Sequence, residues 1–178
     1  MKQLICLFAL LLPAIAYSQK FPIDSATQKV TYKEVVLADG LTKDQLFSNA
    51  KLWAVKTFKS AKDVIQLEDK ASGKVVVQGV SQINTESRPY DHMLGYSIDI
   101  TVKDNKYRFI ITDFTVITGK VKPFSLDAAM GIKGNIKEDG TYSAFFNKTA
   151  IPEMRVIDIL IDDLKNTMAG KAKAADDF

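Results

Sequence analysis

His92 is the only histidine among the 178 residues of this chain, so a zinc centre would need carboxylates for every other ligand and an imidazole-based proton relay would have one member. It closes Glu86-Ser87-Arg88-Pro89-Tyr90-Asp91-His92, the densest polar and aromatic cluster in the sequence. Loops of this composition can host function, which makes Arg88, Tyr90, Asp91 and His92 candidate site residues. The plainer reading pairs Arg88 with Asp91 and leaves Pro89 and Tyr90 to shape a connection. No metal site and no cofactor are expected.

Other segments imitate known chemistry without completing it. Gly95-Tyr96-Ser97-Ile98-Asp99 approaches the nucleophile-elbow pattern, but Asp99 replaces the second glycine, and a mid-strand position has no sharp turn to present the hydroxyl. Asp99 and Asp113, both on expected strands, are the carboxylates that a hydrolase of envelope polymers would use. They would have to face one cleft about 5 to 10 Å apart. Asp158, Asp162 and Asp163 form an acidic strip on an expected helix and read as a solvated face. Glu138-Asp139-Gly140 lacks the alternating oxygen ligands of a calcium loop and reads as a polar turn. Asn147-Lys148-Thr149 fits a glycosylation acceptor, which matters only in a host with that machinery.

Aromatic residues are more informative. Phe47, Trp53 and Phe58 recur at helical spacing and read as core. Phe145 and Phe146 sit side by side near Tyr142 in a glycine-broken stretch, where a strand buries at most one of two adjacent rings. One ring is therefore left for a ligand or partner. The second candidate surface is the polar face of a strand carrying Ser97, Asp99 and Thr101.

The elements that must position these residues follow from punctuation and periodicity. Lys2, the apolar run Leu4 to Ala16 and the small residues around Ala16-Tyr17-Ser18 have the form of a cleaved export signal over residues 1–18. Cys6, the only cysteine, would leave with it, so the remaining 160 residues would fold without a disulfide. Loss of Lys2 leaves 23 basic against 21 acidic side chains, a formal +2 spread along the chain. That is a poor match for a nucleic-acid binder, which gathers its cations on one face. After the signal no apolar run is long enough to span a membrane.

Gln28 to Ala38 reads as a strand closed by Asp39-Gly40. Thr42 and Gln45 have capping-box spacing ahead of a helix striped by Leu46, Phe47, Ala50, Trp53, Ala54 and Phe58. Val64 to Glu68, the Val75-Val76-Val77 run, Met93 to Lys103 and the segment from Tyr107 toward Ile117 read as four more strands, with Asp104-Asn105 as a tight turn. A closing helix is expected from Pro152 to Gly170. Between them, residues 119–150 form a loop-rich insertion, with a helical turn at Leu126 to Met130 and a brief edge strand at Tyr142 to Phe146. Residues 171–178 are expected to be a flexible tail. The order β-α-β-β-β-β-α specifies an α+β two-layer sandwich: one domain over residues 19–170, with an antiparallel curved sheet and both helices on one face.

From Phe21-Pro22 through Thr115 the chain resembles a secreted family of unknown function described as having a TATA-binding-protein-like fold. The resemblance rests on Val35-Val36-Leu37, the helix with Leu46-Phe47, Ala50 and Trp53, Val75-Val76-Val77-Gln78-Gly79, and the hairpin of Tyr96-Ser97-Ile98-Asp99-Ile100 with Tyr107-Arg108-Phe109-Ile110. It implies the same architecture and export, and brings no active-site residues. The fold name carries no DNA-binding function with it, since groove binding needs a basic saddle with wedge residues. The functional expectation is an exported, non-enzymatic interaction or ligand-binding module, whose partner is an unknown protein or small ligand of the cell envelope. The rival readings are the carboxylate hydrolase and a structural part of an envelope assembly.

Overall fold

The computed structural model of the protein describes residues 20–58, 61–84, 92–119 and 121–170. The expected signal, the expected tail and the candidates Arg88, Tyr90 and Asp91 lie outside the described residues.

The elements run β1 (Tyr32–Leu37), α1 (Lys43–Thr57), α2 (Ala61–Val64), β2 (Ile65–Asp69), β3 (Lys74–Gln82), β4 (His92–Lys103), β5 (Lys106–Thr118), β6 (Val121–Ser125), α3 (Leu126–Met130) and α4 (Ala144–Met168). All strand pairs are antiparallel, in the order β1-β5-β4-β3-β2. β6 also pairs with β5. β1 covers Lys106 to Ile111 of β5 and β6 covers Thr115 to Thr118, so the two lie end to end along one edge.

The expected α1 start and the β4–β5 turn are in place. Thr42 Oγ1 accepts from the Gln45 N–H, and the Gln45 side chain accepts from the Thr42 N–H. The Asp104 carboxylate also accepts from Lys43 N at 2.7 Å, which places a negative charge at the positive end of α1. The β4–β5 turn thus holds the first helix as well as joining two strands. Asn105 takes the left-handed conformation expected of this tight turn, with φ 61°.

One sheet face carries the core. Leu94, Tyr96, Ile98, Ile100 and Val102 of β4 pack with Val75 and Val77 of β3 and with Tyr107, Phe109 and Ile111 of β5. Leu46, Ala50 and Trp53 of α1 and Ile157, Leu160 and Leu164 of α4 close over the same cluster. Trp53 is fully buried, yet its indole N–H reaches Asp163 Oδ2 on α4 at 2.9 Å, and Thr57 donates to the same oxygen. Asp163 therefore ties the two helices together and is not part of a merely solvated strip. Asp158 differs as well: partial burial, then the neighbouring Asp162, push its pKa up.

The region 119–150 departs most from expectation. The helical turn at Leu126 to Met130 is α3, but Tyr142 to Phe146 is not an edge strand. Ser143 accepts from Phe146 N and caps α4, which begins at Ala144 and runs for 25 residues. Pro152 lies inside this helix and not at its first turn. Proline lacks an N–H, so the Lys148 carbonyl is without its usual donor four residues on, and the packed apolar stripe carries the helix past that missing bond. Residues 133–142 are held by isolated bridges and by Asp139, which accepts from the N–H and hydroxyl of Thr141.

Gly79 marks the tightest contact between sheet and helix. A Cβ there would stand 2.5 Å from Phe58 Cε1 and 2.6 Å from Tyr96 Cε2. The Phe58 ring is itself held edge-on against Trp53. Gly79→Ala is expected to destabilise the fold by about 1–3 kcal/mol through overpacking, measured by urea unfolding; an unchanged midpoint would mean that Phe58 is free to move.

Candidate functional site

The sequence-level candidates separate into three places. Ser97, Asp99 and Thr101 lie on the sheet face opposite the helices, each half-buried. Asp99 is engaged by Lys74 at 2.7 Å and accepts from Thr101 Oγ1. Asp113 is exposed on a bulge of β5 and pairs with Lys29 at 2.9 Å. The register sets Asp99 opposite Ile110 and the bulge near Tyr96, so the two acids lie roughly 10 Å apart along the strand direction alone. Each has its own lysine. A groove of about 860 Å³ lined by Ser97, Gln78, Val80 and Thr115 takes in Asp113 but not Asp99. The paired-acid arrangement of a hydrolase is not assembled here.

Tyr142 is a clamp. Its hydroxyl accepts from the N–H of Phe21 at 2.9 Å, and its ring meets Phe146 edge-on at 5.1 Å between centroids. Adjacent helical positions point about 100° apart, so Phe146 is 4% exposed and Phe145 76% exposed. One ring of the pair is free, for a helical reason and not because of strand alternation.

The third place joins residues that the sequence leaves separate. His92 is the first residue of β4 and lies on its core face, in phase with Leu94 and Tyr96. Across from it is Glu153 of α4, three residues after Ala150 and four before Ile157 on the buried stripe of that helix. Both residues are 1% exposed. His92 Nε2 and Glu153 Oε1 are 2.8 Å apart, with the oxygen off the ring N–H direction, so the contact is an electrostatic pair more than a straight hydrogen bond. Among the described residues, His92 Nδ1 and Glu153 Oε2 have no hydrogen-bond partner. Burial is the main influence on the Glu153 carboxyl and pushes its pKa up, while the imidazole pulls against that shift.

This pair borders a cavity of about 200 Å³ between the end of β5, β6, α3 and the first turns of α4. Val116, Phe124, Leu126 and Phe146 supply apolar walls, with Asn135 and Lys148 as polar additions and exposed Phe145 beside them. Apolar walls with a buried acid and imidazole at their border make this hollow the candidate ligand site. Among the described residues no group of three or more His, Cys, Asp or Glu could hold a metal ion.

Sequence reasoning misses Glu153 because it starts the helix at Pro152 and the stripe at Met154. Taking Ser143 as the cap would have placed 146, 150, 153 and 157 on one face, with a carboxylate in the middle of it. His92 was visible as a residue type, but its place on the apolar alternation of β4 was not.

With the geometry in place, the comparisons assign the fold family. The family model described as "Domain of unknown function (DUF4468) with TBP-like fold" matches residues 32–116. The protein has the TBP-like α+β fold that this family model describes. The chain is similar to the crystal structure of a DUF4468 family protein from Bacteroides ovatus, with a TM-score of 0.64 and 17% identity over 89% of this chain and 93% of that one. It is also similar to a TBP-like protein from Parabacteroides distasonis, with a TM-score of 0.56 and 19% identity over 82% of this chain and 97% of that one. At such identities the likeness is one of fold. A search among curated proteins found no match. Among the described residues no helix is long and apolar enough to cross a membrane.

Breaking a buried pair costs more than removing it, because the survivor is left charged or unpaired in an apolar surround. His92→Leu and Glu153→Met are each expected to destabilise by about 3–5 kcal/mol, with the double variant costing clearly less than their sum. Urea unfolding of the four proteins checks this. An acid whose folded pKa is raised holds more protons folded than unfolded, so its contribution to stability falls as pH rises from its ordinary value of 4.5 to the higher folded value. The stability of the wild type relative to Glu153→Gln is expected to decline with pH across that interval; a flat difference would contradict the burial of a titrating Glu153.

Proposed function

We propose that this protein is an exported, non-enzymatic binding module and that the hollow beside His92 and Glu153 is where it takes a small ligand. The observation that carries the reading is the pair itself. Burying an acid and an imidazole without full hydrogen bonding is costly, and at this place in the core an apolar pair would pack at less cost. His92 and Glu153 both border the apolar hollow, so a ligand there would lie against the pair. Export is supported by Lys2 and the apolar run that follows it, and it makes the envelope or the medium the source of the ligand.

The size of the hollow supports the same reading. Engineered apolar cavities of about 150 Å³ accept benzene, so 200 Å³ has room for one ring or a short branched chain. Phe145, exposed next to the hollow, offers a flat apolar surface to whatever enters. On the polar sheet face Asp99 is engaged by Thr101 and Lys74, which leaves that carboxylate less ready to receive a ligand.

A screen of monocyclic fragments by amide chemical-shift mapping tests this. Hits are expected to shift Val116, Leu126 and Thr149, and Ala129→Phe, which places a ring against the hollow, is expected to abolish those shifts while Thr101→Ala leaves them intact. Hits that map only to Ser97 and Thr115, or none at all, would remove the hollow as the ligand site.

A further inference from the structure

A free strand edge offers unpaired N–H and C=O groups to any strand that meets it, and sheets blunt such edges with charge, proline or bulges. Here β1 carries Lys33 and Glu34, β6 carries Lys122 and Pro123, and β2 has Glu68, Asp69 and a break of register between Ile65 and Leu67. β3 differs. β2 pairs with it only as far as Val77, and Gln78-Gly79-Val80-Ser81-Gln82 continues without charge, proline or bulge.

Strand alternation says which groups are free. The Ile83 N–H donates to the His92 carbonyl and the Gly73 carbonyl accepts from the Val102 N–H, so the odd-numbered residues of β3 direct their backbone groups to β4 through an unbroken register. Val80 therefore turns its N–H and C=O to the other side, and among the described residues no strand or loop bonds to them there. The groove of about 860 Å³ takes in this edge at Gln78, Gly79 and Val80, and the ends of α1 and α2 at Thr57, Phe58 and Val64. It shares no lining residue with the hollow beside His92 and Glu153.

We propose that this edge binds an extended, uncharged segment of another polypeptide, which adds an antiparallel strand beside Gln78 to Gln82. The donors and acceptors of a strand edge, repeating at strand spacing, are complementary to a peptide backbone in the same conformation. The residue set against Val80, whose side chain is 53% exposed, is apolar and β-branched, as cross-strand packing favours. A charged residue would gain little, because Asp113 in the groove is already paired with Lys29. A second copy of this chain would bring its own β2 and α2 to the short stretch past Val77, whereas a single strand brings nothing beside it.

Amide hydrogen exchange and chemical-shift mapping of the protein test this. Without a partner, the Val80 amide is expected to exchange at least about tenfold faster than those of Gly79 and Ser81. The probe is a peptide of alternating threonine and valine, Thr-Val-Thr-Val-Thr, capped at both ends. At about ten times its Kd it is expected to slow Val80 exchange about tenfold and to shift the amides of Gln78 to Ser81. The same peptide with proline at its centre is expected to bind at least about tenfold more weakly. Val80→Pro removes an N–H that the sheet does not use and is expected to abolish binding in a folded protein; the wild-type exchange and the two peptides decide the matter if that variant does not fold. Slow Val80 exchange in the free monomer, equal binding of the proline peptide, or shifts confined to other strands would each overturn the proposal. Val80 protection that rises with protein concentration as a dimer forms would overturn it as well, by giving the edge to a second copy of the chain.

Discussion

The long β4–β5 hairpin is the constraint on which the rest of the structure depends. Its eleven paired positions put a continuous apolar face on one side of the sheet, and burial of that face is the main drive for folding. Every other element is placed by reference to it. β3 and β1 extend it on either side, α1 and α4 cover it, and its turn, through Asp104 and Asn105, holds the start of α1 and the chain before it. The helices in turn meet through Trp53 and Asp163, an indole buried for its area with its one polar atom accounted for.

The candidate site follows from where this hairpin ends. At its open end, β5 has lost β1 as a neighbour and gained β6, and the chain turns through α3 before α4 comes back across. Packing between a sheet end and two helices of unequal length leaves a hollow, and the first residue of β4 and the inner face of α4 supply its polar lining. The candidate site thus lies where the regular layers stop, while the centre of the sheet is occupied by close packing such as that of Gly79 under Phe58 and Tyr96.

Much of this was readable from the residues. The α1 capping box, the alternation of Met93 to Lys103, the Asp104-Asn105 turn and the helix at Leu126 are all local in origin, so local patterns report them. The misreadings have a common physical cause. Pro152 argues for a helix start only while the stripe on both sides of it is ignored, and Tyr142 to Phe146 reads as a strand only if Ser143 is not taken as a cap. The pairing of His92 with Glu153 spans the sheet-helix interface, and no local pattern encodes a contact between residues so far apart in sequence. A carboxylate at an inward position of an amphipathic helix was the one available sign.

A single residue of β5 keeps the hollow in being. Before Asp113 the inward side chains of this strand are the odd-numbered Tyr107, Phe109 and Ile111; after it they are the even-numbered Phe114 and Val116. The extra residue at the bulge, with its left-handed φ of 54°, changes the parity of the strand in mid-course. Without that change of parity Val116 would face outward and Ile117 would take its place against α4, so the wall of the hollow is set by a count of residues as much as by their kinds. Point substitutions along β5 would alter the lining, whereas a one-residue deletion near Asp113 would exchange the two sides of the sheet end altogether.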